Sequence, residues 1–174
     1  YKYYSKKIFP KNVYILNEEI PHLNKFELII TCVGTRQSNN IFKNISLFKK
    51  KIICLENDPF VVENYKKETK KENMFFGIPD VISSNTAPKK IKKNNELNLV
   101  TENGICYIDQ KINIKNINAK LLDKKNLRSQ WLAKLYIHNS SHCTAAYLGS
   151  IIKKKFLHEA LENKNIKRIV KDCI

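Results

Sequence analysis

Apolar and polar stretches alternate along the chain in blocks that predict strands and helices in turn. Two short apolar runs, residues 26–33 (FELIITCV) and 51–55 (KIICL), predict buried strands of a parallel sheet. Mixed apolar spacing over residues 41–48 predicts a helix between them, and residues 61–71 predict an exposed helix after the second. This order predicts an α/β fold with a doubly wound sheet, in which ligands bind beyond the carboxyl ends of the strands.

The pattern changes after residue 74. Residues 74–88 predict a strand followed by a loop, residues 97–108 predict strand material interrupted near Gly104, and residues 112–118 predict a loop or an edge strand. From about Asp123 the apolar spacing becomes helical, and it predicts helices in the segments 126–146, 148–163 and 166–174. The chain is therefore predicted to divide near residue 120 into an α/β part and a helical part.

The charge of the chain is strongly positive, at +16 for 174 residues. Such a charge can indicate a nucleic-acid partner. Yet the cations are nearly all lysine, with arginine only at positions 36, 128 and 168, and arginine normally carries bidentate recognition of phosphate and guanine. Lysine, asparagine and isoleucine all have A- and T-rich codons, so a biased genome explains their joint abundance. No nucleic-acid partner is predicted, and a basic nucleic-acid-binding module remains an alternative.

Cysteine and histidine spacing argues against a metal site. The five cysteines are widely scattered without a C-x-x-C pair, which indicates a reducing cytoplasm rather than a zinc site or a disulfide framework. His138 and His142 have i,i+4 spacing and His158 follows, but no carboxylate completes H-E-x-x-H. No apolar run approaches the roughly 20 residues of a membrane helix, and residues 1–12 lack the apolar core of a signal peptide.

Candidate chemistry lies in residues 134–149 (KLYIHNSSHCTAAYLG), which predict one helix. At about 100° per residue, Asn139 is roughly 140° from Lys134 and His142 about 80° from it, so the three residues share a broad face. An amine, an amide and an imidazole suit metal-free alcohol oxidation, provided that burial or a nearby cation lowers the lysine pKa. In a chain rich in lysine and asparagine, a solvated lysine and a core histidine would give the same spacing.

This segment resembles the catalytic helix of the polyol-specific long-chain mannitol dehydrogenases, and most closely that of the members acting on mannitol 1-phosphate. Residues 28–37 (LIITCVGTRQ) resemble their strand ending in T-x-V-G, which implies that Val33 and Gly34 contact the cofactor. Residues 52–60 (IICLENDPF) resemble I-I-x-C-E-N with the cysteine one place earlier, which implies that Asn57 contacts cofactor or substrate. As an alternative, residues 56–57 are a polar strand end and helix cap.

The resemblance extends to the substrate side and to the following helix. Residues 75–82 (FFGIPDVI) resemble F-x-D-x-x-V-D-R-I, in which Asp80 matches the second acid and Val81 replaces the arginine. This match implies that Asp80 binds substrate. Residues 163–172 (NKNIKRIVKD) resemble the helix after the catalytic one. None of the four glycines forms G-x-G-x-x-G, and the first residue is not methionine, so we expect an internal fragment of a longer enzyme.

The family resemblance implies an NAD-dependent oxidoreductase that interconverts D-mannitol 1-phosphate and D-fructose 6-phosphate. Lys134 would be the general base, and Asn139 and His142 would hydrogen-bond the carbinol oxygen. Residues 1–120 would be part of a Rossmann-like dinucleotide-binding domain, and residues 121–174 the beginning of a helical substrate and catalytic domain. We expect a cytoplasmic protein with a sugar-phosphate substrate and no membrane partner; the sequence does not determine the oligomeric state, and a monomer is favoured. Mannitol 2-dehydrogenase, a hexuronate reductase and a decayed, non-catalytic remnant remain alternatives.

Overall fold

A five-stranded sheet forms the centre of the structure. The computed structural model describes residues 23–81, 83–84, 100–101, 104–115 and 117–173. The strands of this sheet, in spatial order, are β1 (Leu28–Thr31), β2 (Lys51–Leu55), β3 (Met74–Asp80), β6 (Ile105–Asp109) and β7 (Lys120–Leu122). The first three strands are parallel, β6 is antiparallel to β3, and β7 is parallel to β6. Strands β4 (Ser83–Ser84) and β5 (Val100–Thr101) form a separate antiparallel pair. The predicted α/β fold is confirmed.

Helices connect the parallel strands and then dominate the last third of the chain. They are α1 (Thr35–Asn44), α2 (Pro59–Thr69), α3 (Lys124–Ala133), a π-helix (Lys134–Asn139), α4 (Ser140–Ile151), α5 (Leu157–Leu161) and α6 (Lys164–Asp172). Single 3-10 turns occupy Leu23–Lys25 and Gln110–Ile112. None of the helices in the described part of the chain has the length and apolar character that a bilayer crossing requires.

The helix starts follow ordinary capping chemistry. Asp58 precedes α2, its side chain accepts a hydrogen bond from the Phe60 N–H at 2.9 Å, and Pro59 occupies the first turn. Asp123 caps α3 in the same way through the Asn126 N–H, also at 2.9 Å. The Asp58 cap fixes where α2 leaves the carboxyl edge of the parallel strands, the edge at which the predicted site residues lie. Strand β7 runs opposite to these strands, so α3 begins away from this edge and runs back towards it, where Trp131 contacts Asn57.

Several boundaries differ from the prediction. The helix after β1 begins at Thr35 rather than near residue 41, because Gly34, with φ of 77°, turns the chain directly from strand into helix. Residues 148–163 are not one helix: α4 ends at Ile151, and Lys153 takes a left-handed conformation with φ of 58°. Strand β7 was not predicted, because three residues are too few for an alternating pattern. The predicted loop residues 82 and 85–88 and strand residues 97–99 lie outside the described part.

Both faces of the sheet are covered around β2, as the prediction of a buried parallel strand requires. Ile52 joins a cluster with Phe42, Tyr65 and Met74 beneath α1 and α2. The rings of Phe42 and Tyr65 lie 4.9 Å apart, and the Tyr65 hydroxyl donates to the Phe42 carbonyl at 2.9 Å. The next residue, Ile53, faces the other side and packs with the buried residues Ile108 and Ile112. Successive side chains of β2 point to opposite faces of the sheet, so this strand contributes to two hydrophobic cores.

Strand β1 is less buried than predicted. Ile30 is 52% exposed, whereas Thr31 beside it is buried. In the described part of the chain, β1 lies at one edge of the sheet and pairs only with β2. The position of a strand in its sheet affects its burial, and a run of apolar residues does not indicate that position.

Close packing of α4 on α5 depends on Gly149. A Cβ atom at this position would lie 2.6 Å from the Ala160 Cβ, and both residues are buried. We expect Gly149→Val to lower the free energy of unfolding by about 1–3 kcal/mol, the usual cost of overpacking. Ser150→Val, at the exposed neighbouring position, controls for the helix propensity of valine. Chemical denaturation of both variants tests this, and equal losses in the two would contradict the packing argument.

Candidate active site

The predicted catalytic residues begin in a π-helix rather than in an α-helix. Lys134 and Asn139 are its first and last residues. A π-helix closes its hydrogen bond over five residues, so these two side chains lie about one turn apart and closer in angle than they would in an α-helix. The spacing of roughly 140° expected from an α-helix is therefore wrong. His142 follows three residues later in α4, which places it beside Asn139 on the helix surface. The three residues share a narrower face than the sequence predicted.

Two serines explain where the π-helix ends. The hydroxyl of Ser140 donates to the Tyr136 carbonyl, and the hydroxyl of Ser141 donates to the Ile137 carbonyl. Both bonds reach back four residues, a pattern that competes with the backbone ladder and often bends a helix. π-Helical turns are frequent at functional sites. The Ser-Ser pair is the sequence signal for this turn.

Lys134 reaches from the π-helix to the carboxyl end of β3. Its side chain is half-buried, and its Nζ donates a hydrogen bond to the Pro79 carbonyl. Burial lowers the pKa of the Lys134 ammonium below its ordinary value of 10.5, while the charges of Asp80 and Cys106 act in the opposite direction and raise it. Burial is the largest of these influences. The net direction is the one that a general base working near neutral pH needs.

Asp80 and two histidines lie next to this lysine. The Asp80 Oδ1 atom is buried and has no hydrogen-bond partner among the described residues. His138 Nδ1 lies 3.5 Å from that oxygen, and the His138 ring packs edge-on against the His142 ring with centroids 4.8 Å apart. The sequence indicated His138 only as a conceivable metal ligand. Its i,i+4 spacing from His142 was the available signal, whereas its contact with Asp80 joins distant parts of the chain.

The predicted cofactor residues lie together at the carboxyl ends of β1 and β2. The Val33 N–H donates to Oε1 of the buried Glu56 at 3.3 Å, which ties the two strand ends together. Gly34 has open space where a side chain would begin. Asn57 is exposed, and its carbonyl accepts a hydrogen bond from Trp131 Nε1 at 2.7 Å. Helix α3 is thereby anchored to this edge of the sheet. The sequence indicated Glu56 only as part of a motif, and it did not indicate the hydrogen bond between its buried side chain and Val33.

Cys106 lies between the residues around Lys134 and the predicted cofactor residues at the end of β1. It pairs with Pro79 in the β3–β6 register. Burial raises the pKa of its thiol, the charge of Cys32 raises it further, and Lys134 lowers it. Burial and Glu56 likewise raise the pKa of the Cys32 thiol. Cys32, which precedes Val33, and Lys134 are thus both within electrostatic reach of Cys106. The raised pKa values keep both thiols protonated and poorly nucleophilic.

The arrangement of histidine, cysteine and carboxylate side chains in the described residues bears on metal binding. In the described ranges, no group of three or more histidine, cysteine, aspartate and glutamate residues is arranged to hold a metal ion. The chemistry that these side chains can perform on their own is proton transfer and hydrogen bonding to an oxygen.

A large open cleft lies at the opposite edge of the sheet. It measures about 710 Å³ and includes Leu28, Lys51 and Asn113 in its lining. Two of its four lysines are already engaged: Lys50 pairs with Glu27 at 2.6 Å, and Lys51 donates to the Asn113 carbonyl at 2.7 Å. Ligands of open α/β sheets bind at the carboxyl ends of the strands, and this cleft lies at the amino ends. We therefore assign the candidate site to the edge that carries Lys134.

The chain is similar to several curated mannitol-1-phosphate 5-dehydrogenases. The chain is 30% identical over 140 residues to the mannitol-1-phosphate 5-dehydrogenase of Buchnera aphidicola subsp. Schizaphis graminum, covering 78% of this chain and 34% of the relative. It is 26% identical to the enzymes of that name from Mycoplasma pneumoniae and Caldanaerobacter subterraneus subsp. tengcongensis, covering 88% and 90% of this chain and 44% and 47% of theirs. No protein-family model matches the sequence.

The alignments cover most of this chain but a smaller part of each relative. The similarity extends over most of this chain, through the sheet and the helix that carries Lys134, whereas the chain spans between about a third and a half of each relative. A fragment of a longer protein is consistent with these values. Over 78% to 90% of its length, the chain is a homologue of mannitol-1-phosphate 5-dehydrogenases.

Proposed function

We propose that the protein carrying this chain is an NAD-dependent oxidoreductase that interconverts D-mannitol 1-phosphate and D-fructose 6-phosphate. The observation that supports this most strongly is the half-buried Lys134, whose pKa burial lowers, beside Asp80 at the carboxyl edge of the sheet. The names of the homologous proteins agree with it. The proposal includes a division near residue 120 into a dinucleotide-binding part and a helical part, in a monomeric, cytoplasmic protein.

In the proposed oxidation, the chain's own residues handle the proton and the oxygen. The neutral Lys134 amine accepts the proton of the carbinol hydroxyl. Asn139 and His142, which the π-helix and the following α-helix place on the same broad face as Lys134, hydrogen-bond the same oxygen and stabilise its developing negative charge. Asp80 accepts a hydrogen bond from a substrate hydroxyl through the exposed part of its carboxylate, since its side chain is 35% exposed. In the reduction, the Lys134 ammonium returns the proton.

NAD, when bound, supplies the hydride acceptor. Val33, Gly34 and Asn57 would hold its nicotinamide end. The fit rests on Gly34, where bare backbone and open space at the end of β1 leave room for a flat ring, and on Glu56, which fixes the Val33 backbone. No G-x-G-x-x-G turn is present in the sequence, so the residues of this chain fit the nicotinamide end and not the pyrophosphate.

The pH dependence of the oxidation should report on Lys134. Because the neutral amine is the base, kcat/KM for oxidation should rise with pH through the lowered pKa of Lys134, below 10.5. Asp80 stabilises the ammonium, so Asp80→Asn should move this rise to lower pH while reducing its height. Rate profiles of both proteins measure the two positions. A rise that moves to higher pH in Asp80→Asn would contradict the assignment of the base.

The substrate can be tested directly with the whole protein. NADH oxidation should be fastest with fructose 6-phosphate, because binding to the phosphate is lost with free fructose or a hexuronate. Faster turnover of fructose or of a hexuronate would instead support one of the two sibling activities. A folded protein without any turnover would support the decayed remnant. DNA binding that weakens steeply with salt, in the absence of turnover, would support the nucleic-acid alternative.

A further inference from the structure

His138 lies between two residues of the proposed site without having been assigned a part in it. Its Nδ1 faces the Asp80 carboxylate at 3.5 Å, and its ring lies edge-on to His142 with centroids 4.8 Å apart. The π-helix makes this possible, because His138 occupies the turn between Lys134 and Asn139. About a third of each side chain, 34% for His138 and 35% for Asp80, is exposed, so solvent only partly screens the contact.

The contact involves Oδ1 of Asp80, a buried carboxylate oxygen. Oδ1 is shielded from solvent and has no hydrogen bond among the described residues. At 3.5 Å the distance to His138 Nδ1 is longer than the usual 2.7–3.2 Å or so of an N–H···O bond. A movement of a few tenths of an ångström would complete the bond.

We infer that His138 is a positioning residue. Its Nδ1–H holds the Asp80 carboxylate and weakens the attraction of this carboxylate for the Lys134 ammonium. This inference rests on the proposed function for its consequence in catalysis, but the contact itself does not. The groups that face Lys134 are Asp80 on β3 and Cys106 on β6. Asp80 attracts the ammonium and so opposes the effect of burial. A donor on Asp80 weakens that attraction, and both the neutral Nδ1–H form and the imidazolium act in this direction.

Three substitutions separate this role from simple packing. His138→Asn keeps an N–H donor near the position of Nδ1. His138→Gln moves the amide out to the position of Nε2, and His138→Leu removes the donor while keeping most of the volume. His158→Leu, at an exposed histidine whose ring stacks on Phe156, is the matched control. If the leucine variant fails to fold, the glutamine variant carries the same test.

The measurement is the rate at which trace acetic anhydride labels the Lys134 amine, followed by peptide mass spectrometry in the whole protein without substrate. Only the neutral amine reacts. At a fixed pH below the Lys134 pKa, we expect labelling to slow roughly threefold in His138→Leu and His138→Gln, because one pKa unit is a factor of ten in the neutral fraction. His138→Asn and His158→Leu should label like the parent. In an Asp80→Asn background, His138→Leu should have no further effect.

An unchanged rate in the leucine and glutamine variants would overturn the inference, and so would an equal slowing in all three His138 variants. A persistent effect of His138→Leu in the Asp80→Asn background would overturn it too, since the residue would then not act through Asp80. Absence of turnover with fructose 6-phosphate, together with the predicted labelling pattern, would reject the proposed function and leave the role of His138 standing. The two failures are therefore distinguishable.

Discussion

Replacing Lys134 with alanine is expected to lower kcat for oxidation of mannitol 1-phosphate by at least about 100-fold, the usual scale for loss of a positioned acid–base group. The reason lies in the surroundings of this lysine. It is half-buried, its amine contacts the Pro79 carbonyl, and burial lowers its pKa. KM should change less than kcat, because the base acts on the proton in the transition state. Steady-state kinetics with saturating NAD measure both constants.

Two companion variants show whether this loss of activity comes from the missing amine. Lys134→Met keeps the length of the side chain without an amine, and it should be as inactive as the alanine variant. Lys125→Ala removes an exposed lysine from α3 and should leave kcat within about twofold, as expected of a surface change away from the site. Small alkylamines in the buffer should restore part of the activity of Lys134→Ala. Full activity in the methionine variant would refute the role of Lys134.

The largest expected loss of stability comes from Phe42→Ala. Phe42 is fully buried in α1, packs against the Tyr65 ring at 4.9 Å, and its carbonyl accepts the Tyr65 hydroxyl. Truncating a buried phenylalanine typically costs about 3–5 kcal/mol, because apolar contacts are lost and a cavity remains. This cluster holds α1 and α2 on the sheet, and with them the turns that carry Val33 and Asn57. We therefore expect cofactor affinity to fall along with stability.

Hydrogen exchange followed by mass spectrometry suits this test, because it reports on individual peptides of the whole protein. Peptides covering α1 and β2 should lose protection in Phe42→Ala. Leu47→Ala is the matched control, since Leu47 follows the same helix but is 83% exposed, and its free energy of unfolding should change by no more than about 0.5 kcal/mol. Equal exchange in the two variants would mean that the Phe42 cluster does not support the sheet.

Local sequence carries enough information for some elements and not for others. β2 was predicted at its observed bounds, because a continuous apolar run ends in polar residues and an Asp-Pro cap follows. The smaller angle between Asn139 and Lys134 was not predictable from spacing, since that argument assumes the repeat of an α-helix and the segment is a π-helix. Back-bonding by Ser140 and Ser141 sets its end, a contribution that hydrophobic patterning does not represent.

Long-range contacts account for what the sequence could not indicate at the site. The family motif supplied Asp80 and the helical pattern supplied His142, but only the folded chain brings His138 against Asp80. The bridge from Glu56 to Val33 likewise joins two separate strand ends. The exposure of Ile30 depends on which strands flank β1, a property of the whole sheet. The three catalytic assignments remain predictions that kinetics must test.

One isotope-transfer measurement tests the central proposal most directly. The whole protein is incubated with fructose 6-phosphate and NADH carrying deuterium at the transferable position, and the product is analysed by mass spectrometry. The proposal predicts mannitol 1-phosphate with one deuterium on the carbon that was the carbonyl, and almost none from Lys134→Ala in the same time. NADH binding without any deuterated polyol phosphate, in a protein shown to be folded, would contradict it.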